Sequence, residues 1–245
     1  ALDDYVWINP QQRSEVEGWI QDGFLPNIML SGGPGCGKSS LAYLLMHLLD
    51  VDVSDMRYVN ASRHTGIDYM RDLMDFCETM PMGKYRYVIL DEADRLSVNA
   101  QDMLKSMTEE YSAVCRWIFT TNRPHMITKP LQSRMQGFHV SSLDREQFMT
   151  KVASILIQEG IEVNETNWDI LDSYVSSSYP DLRRCINLLQ QNCKTGVLKA
   201  PSNSGTTSNE EAMVEAVTLF KEGKITAARQ ILSGKLADSD YEELY

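Results

Sequence analysis

Residues 32–39 read Gly-Gly-Pro-Gly-Cys-Gly-Lys-Ser, and this fit to G-x-x-x-x-G-K-S/T constrains the fold more than any other stretch. The apolar run Ile28-Met29-Leu30 precedes it. A helical repeat follows, with Leu41, Leu44, Leu45 and Leu48 at i, i+3, i+4 and i+7. Strand, glycine turn and helix in that order bring backbone N–H groups and the positive end of a helix to one point. That arrangement cradles phosphate oxygens. Lys38 is placed to reach the β- and γ-phosphates of ATP, and the Ser39 hydroxyl to ligate Mg²⁺. Gly33, Pro34, Gly35, Cys36, Gly37 and Ser40 complete the loop. The lysine-bearing form replaces G-x-G-x-x-G, which argues against a dinucleotide site.

A second signal lies downstream. Tyr87-Val88-Ile89-Leu90 runs directly into Asp91-Glu92-Ala93-Asp94. A buried strand ending in acids sets Asp91 at the carboxyl edge of a parallel sheet, where α/β proteins hold their ligands. Asp91 is the second candidate Mg²⁺ group, and Glu92 the candidate for orienting and polarising an attacking water. The letters D-E-A-D invite a helicase reading, but that family's own phosphate loop and its S-A-T motif are absent.

Short apolar runs recur through the first 140 residues: 28–30, 58–59, 85–90, 117–120 and 138–140. Helical patterns separate most of them, among them Ala100, Met103, Leu104 and Met107. The alternation predicts an α/β fold, a five-stranded parallel sheet with helices on both faces, over residues 1–140. Strands then stop. Phe148, Val152, Ile155 and Leu156 mark one amphipathic helix, Trp168, Leu171 and Val175 a second, and Leu182, Cys185, Ile186 and Leu189 a third. They predict a small helical domain over 141–200. The segment 201–245 reads as a linker, Pro-Ser-Asn-Ser-Gly-Thr-Thr-Ser, and the start of a further helical domain.

Five scattered cysteines without a C-x-x-C pair suggest neither a disulfide framework nor a zinc ribbon. The longest apolar stretch, Leu41 to Leu49, is too short to cross a bilayer. A cytoplasmic protein with no membrane partner is expected.

With these residues in place the chain resembles the AAA+ ATPases and, within them, the sliding-clamp loader subunits. The likeness runs from Leu2 to about Leu198 and is strongest to replication factor C small subunits and the ATPase subunit of bacteriophage loaders. Leu2-Asp3-Asp4-Tyr5-Val6 is similar to the segment after a basic K-Y-R-P motif that this chain does not contain, so truncation at both ends is expected. Thr120-Thr121-Asn122 resembles sensor 1, which implies that Asn122 helps place the hydrolytic water. Pro130-Leu131-Gln132-Ser133-Arg134 resembles the S-R-C motif, which implies that Arg134 is a finger acting in trans on the neighbouring subunit's ATP. Pro180-Asp181-Leu182-Arg183-Arg184 resembles sensor 2, which implies Arg183 on the γ-phosphate and makes the helical domain a lid. Met135 in place of cysteine and Pro180 in place of glycine lean to the bacteriophage side, and so to a bacterial host's cytoplasm. In the family, Tyr5 and Val6 would pass the adenine.

The resemblance implies an ATP hydrolase, weak alone, that works with other loader subunits in a ring or spiral. It would open a sliding clamp and place it on primer–template DNA. Other readings are a different AAA+ DNA-processing motor (a replication initiator or branch-migration ATPase) and a nucleotide-holding scaffold subunit. Candidate DNA-phosphate contacts are Arg63, Arg71 and Lys105. A formal charge of −11 at first opposes nucleic-acid binding. The acidity, however, sits at the termini, while residues 57–140 hold 11 basic against 10 acidic groups. A subunit adding a few cationic contacts to a ring fits that distribution.

Overall fold

The computed structural model describes residue 2 and residues 5–63, 67–164, 167–193 and 197–199. The expected linker and further helical domain over 201–245 lie outside the described residues.

Five parallel strands form one sheet: β1 (Ile28–Ser31), β2 (Met56–Asn60), β3 (Arg86–Asp91), β4 (Cys115–Thr121) and β5 (Gln136–His139). Their spatial order is β2-β3-β4-β1-β5. Each apolar run in the sequence falls on one of these strands. Residues along β3 alternate between two cores, as the pleat requires. Val88 and Leu90 join Val59, Trp117 and Phe119 on one face, against Met70, Leu73 and Cys77 of α3 (Ile67–Glu78) and Leu104 and Met107 of α4 (Val98–Glu110). Tyr87 and Ile89 join Ile28, Leu30 and Ile118 on the other, against Val16 of α1 (Pro10–Asp22) and Leu41, Ala42 and Leu45 of α2 (Lys38–Leu48). Each Leu or Ile buried here contributes about 1.5–3 kcal/mol. Covering both faces is what makes near-continuous apolar strands stable.

Local chemistry sets the helix starts. Asn9 caps α1 through its side chain, with Pro10 at the first helical position, and Ser97 accepts from the Ala100 amide to start α4. A short helix, α5 (Lys129–Gln132), precedes β5.

Three longer helices follow the sheet: α6 (Arg145–Gln158), α7 (Trp168–Ser178) and α8 (Leu182–Asn192). They share a core of Phe148, Val152, Leu156, Leu171, Val175, Cys185 and Leu189. Asp144 and Gln147 close a capping box on α6. Trp168 departs from its expected place in the stripe: it is 45% exposed at the first position of α7. Side chains lean toward a helix's N-terminus, so a first-turn residue overshoots the packed bundle and burial begins at Leu171.

Candidate nucleotide site

β1 delivers the chain into the phosphate loop, and two glycines are dictated by close approach. A Cβ on Gly32 would stand 2.2 Å from the Val140 carbonyl oxygen, and one on Gly35 would stand 2.0 Å from Asp181 Oδ1. Gly35 also has φ of +70°, which L side chains rarely adopt. Lys38, the first residue of α2, is buried. Its ammonium donates to the carbonyls of Gly33 at 2.6 Å and Gly32 at 3.1 Å, and lies 3.7 Å from Cys36 Sγ.

Ser39 follows on the same turn and donates to Asp91 Oδ1 at 2.9 Å, joining α2 to the end of β3. Asp91 accepts two further bonds, from Tyr58 Oη to Oδ2 at 2.7 Å and from the Thr120 hydroxyl to Oδ1. Burial pushes the Asp91 carboxyl up, but these bonds from Thr120, Tyr58 and Ser39, with the charge of Arg183, outweigh it and hold the group below the usual carboxylate range. The Tyr58 phenol moves the other way, pushed up to about 12 by burial and by its bond to Asp91. An ionised carboxylate against a serine hydroxyl is a hard-oxygen donor pair of the kind Mg²⁺ takes, so these residues fit the cation.

Glu92 turns the corner after β3 in the left-handed region, with φ of +56° and ψ of +42°. For a non-glycine residue that conformation costs on the order of 1–3 kcal/mol. The amide of Glu92 is held by the Thr120 hydroxyl at 3.2 Å, and its side chain is 44% exposed, with Arg95 4.0 Å away. Asp94 turns elsewhere. It is buried, accepts from Thr121 Oγ1 at 2.9 Å and Arg123 Nε at 3.1 Å, and is absent from the residues lining the cleft. Burial raises its pKa, but the bonds from Thr121 and Arg123 bring the net direction down.

A cleft of about 200 Å³ brings these groups together. Gly35, Lys38 and Ser39 line it from the loop, Asp91 and Glu92 from the end of β3, and Asn122 from just beyond β4. The helical domain supplies Arg183 from the first turn of α8. Asp181, whose carboxylate accepts from the Arg184 amide at 3.1 Å, caps that helix and lies against the phosphate loop at Gly35.

Other candidate residues lie outside this cleft. Arg134 is bonded to Glu109, in the last turn of α4, and to the Pro130 carbonyl, with its side chain 25% exposed. Tyr5 and Val6 line a separate small recess with Trp7, Phe138 and Val140. The Tyr5 ring nonetheless lies against the loop, since a Cβ on Gly37 would meet it at 3.5 Å. Burial, then the neighbouring Cys36, pushes the Tyr5 phenol well up. Gly33, Cys36, Gly37 and Ser40 shape the loop without lining the cleft. Arg63 and Arg71 are exposed, after β2 and on α3, and Lys105 is half-buried on α4.

Sequence reasoning missed Tyr58, Thr120 and Asp181. Thr120 stands within the T-T-N triplet, and Asp181 precedes an apolar helical repeat as an N-cap residue should. Tyr58 carried no comparable signal.

Among the described residues, no helix is long and apolar enough to cross a membrane. The family model described as "ATPase family associated with various cellular activities (AAA)" matches residues 28–142. The replication factor C small subunit of Methanocella arvoryzae is 33% identical over 206 residues, which cover 77% of this chain and 63% of that protein. The replication factor C small subunit of Archaeoglobus fulgidus is 31% identical over 225 residues, covering 89% of this chain and 70% of that protein. Among solved structures, the Thermotoga maritima RuvB Holliday junction branch migration motor superposes with a TM-score of 0.62 at 16% identity, covering 79% of this chain and 66% of that one. At that identity the likeness is one of fold.

Proposed function

The chain belongs to the replication factor C small-subunit family of AAA ATPases, and from that premise we propose that it is the ATPase subunit of a sliding-clamp loader. It would use ATP binding and hydrolysis to open a clamp and place it on primer–template DNA. The observation that carries this reading is the convergence of Lys38, Ser39, Asp91, Glu92, Asn122 and Arg183 on one cleft, with Arg134 held apart from it.

Each residue then has a task. The loop amides and Lys38 bind the β- and γ-phosphates. Ser39 and Asp91 hold Mg²⁺, which when bound neutralises charge building on the phosphate oxygens. Glu92, carried into the cleft by the left-handed turn, polarises the attacking water, and Asn122 fixes its position. Arg183 binds the γ-phosphate from the lid, so the lid's orientation depends on the nucleotide state. Arg134 completes the site of an adjacent subunit, which ties hydrolysis to assembly. Tyr5 and Val6 pass the adenine. Arg63, Arg71 and Lys105 contact DNA phosphates, which position a duplex without reading its sequence.

Steady-state ATPase assays test the reading. The chain alone should turn over slowly. Adding partner subunits, clamp and primed DNA together should accelerate it by orders of magnitude, given that a finger supplied in trans contributes roughly 10³–10⁵. Fast turnover by the isolated chain, indifferent to clamp and DNA, would refute it.

A further inference from the structure

The grip on Asp91 contains one residue that the catalytic reading leaves without a task. Tyr58 sits in the middle of β2, the edge strand, and its ring is 39% exposed while the next residue, Val59, is completely buried. Core packing therefore accounts for Val59 and not for Tyr58. The phenol hydroxyl donates to Asp91 Oδ2 at 2.7 Å. Ser39 and Thr120 both donate to the other oxygen, Oδ1. An ionised carboxylate offers roughly two acceptor positions on each oxygen. On Oδ1 both are taken; on Oδ2 Tyr58 takes one and leaves one.

That division has a mechanical consequence. The terminal torsion of an aspartate is broad and soft, so the carboxylate plane is set by its partners more than by its own rotamer. Ser39 cannot set it independently, because Ser39 is itself the other candidate cation ligand. Tyr58 reaches the opposite oxygen from a neighbouring strand. Its own aim is steadied by Tyr43 of α2, with ring centroids 5.7 Å apart and planes inclined by 25°. A rigid aromatic arm thus fixes the carboxylate from outside the ligand pair.

We propose that Tyr58 is a positioning residue for Asp91, orienting its carboxylate so that Asp91 and Ser39 present their oxygens together to the divalent cation. The inference rests on Ser39 and Asp91 being the Mg²⁺ ligands. Tyr58→Phe removes the hydroxyl and keeps the ring on Tyr43. In the subunit assembled with its partners, binding of a fluorescent, non-hydrolysable ATP analogue is measured in Mg²⁺ and in EDTA. The ATPase rate is then titrated with Mg²⁺.

The affinity in EDTA should match the parent, while the gain in affinity on adding Mg²⁺ should fall about tenfold, as is usual when a group bonded to a metal ligand is lost. The Mg²⁺ concentration for half-maximal hydrolysis should rise by a similar factor, with the KM for ATP at saturating Mg²⁺ unchanged. A Mg²⁺ dependence equal to the parent's, or an equal loss of affinity in EDTA, would overturn the proposal. Asp91→Asn separates the layers. If it also keeps the parent's Mg²⁺ dependence, the assignment of the cation site falls and Tyr58 with it. If Asp91→Asn loses that dependence and Tyr58→Phe does not, only the positioning role falls.

Discussion

Two arginines divide the molecule into a region complete in one chain and a region that is not. Arg183 stands on the first turn of α8 and lines the cleft with Lys38, Asp91 and Glu92. Arg134 follows α5 and bonds to Glu109 and the Pro130 carbonyl, outside that cleft. Both have guanidinium chemistry suited to phosphate. What separates them is where the fold carries each one. The chain closes its own phosphate site with a lid arginine, and presents Arg134 at a corner that offers it a carboxylate of its own subunit and no phosphate cradle. On the proposed function, that corner becomes catalytic only when a second subunit brings its cleft to it.

The largest expected effect tests this division directly. Arg134→Ala should lower ATPase in the assembled loader by roughly 10³–10⁵, the range for an arginine finger. Nucleotide affinity of the isolated chain should stay at the parent value. Titrating nucleotide into the lone subunit checks the second half, and a large loss of affinity there would place Arg134 in cis. Arg183→Ala should show the opposite pattern. It should weaken ATP binding already in the isolated chain, and lower turnover in the assembly by about a hundredfold, as for loss of one preorganised donor. Equilibrium binding compared across the two variants sharpens the contrast; identical behaviour would erase it.

The smallest effect concerns the acids behind the cleft. Asp94 and Asp91 both have pKa values held below the ordinary carboxylate range: burial raises each, and hydrogen bonds more than reverse it. A depressed native pKa contributes stability that is present above the unfolded value of about 3.9. That stability is lost as pH falls through the lower native value. Thermal melts of the parent should therefore steepen in their decline below that pH. Asp94→Asn should flatten the acid limb while lowering stability at neutral pH. An unchanged slope would mean that the bonds from Thr121 and Arg123 contribute nothing measurable.

Much of this was legible in the residues. The eight residues of the phosphate loop and the apolar run into Asp91-Glu92 located one edge of a sheet before any coordinates. The alternating runs located the strands, whose bounds in the structure extend only a residue or two beyond them for most. α1 was not anticipated, because its buried face is a single Val16 and its apolar pattern is correspondingly faint. The exposure of Trp168 depends on where a bundle ends, which periodicity does not encode. Tyr58 lay in a strand whose other residues gave no hint of a hydroxyl reaching across to Asp91.

The sequence by itself determined the elements and the chemistry each carries: a glycine loop that only small residues permit, a lysine and serine at the start of a helix, acids at the end of a buried strand. These are local properties, decided by sterics and by periods of two and 3.6 residues. Only the tertiary structure decided which groups meet. Strand order places β2 and β4 on either side of β3, so that Tyr58 and Thr120 both reach Asp91. Packing of the helical domain sets Asp181 against Gly35 and Arg183 into the cleft, while α4 and α5 hold Arg134 outside it. Those contacts join residues 29 to more than 140 positions apart. Their existence depends on the whole core being formed, not on any segment's own preference.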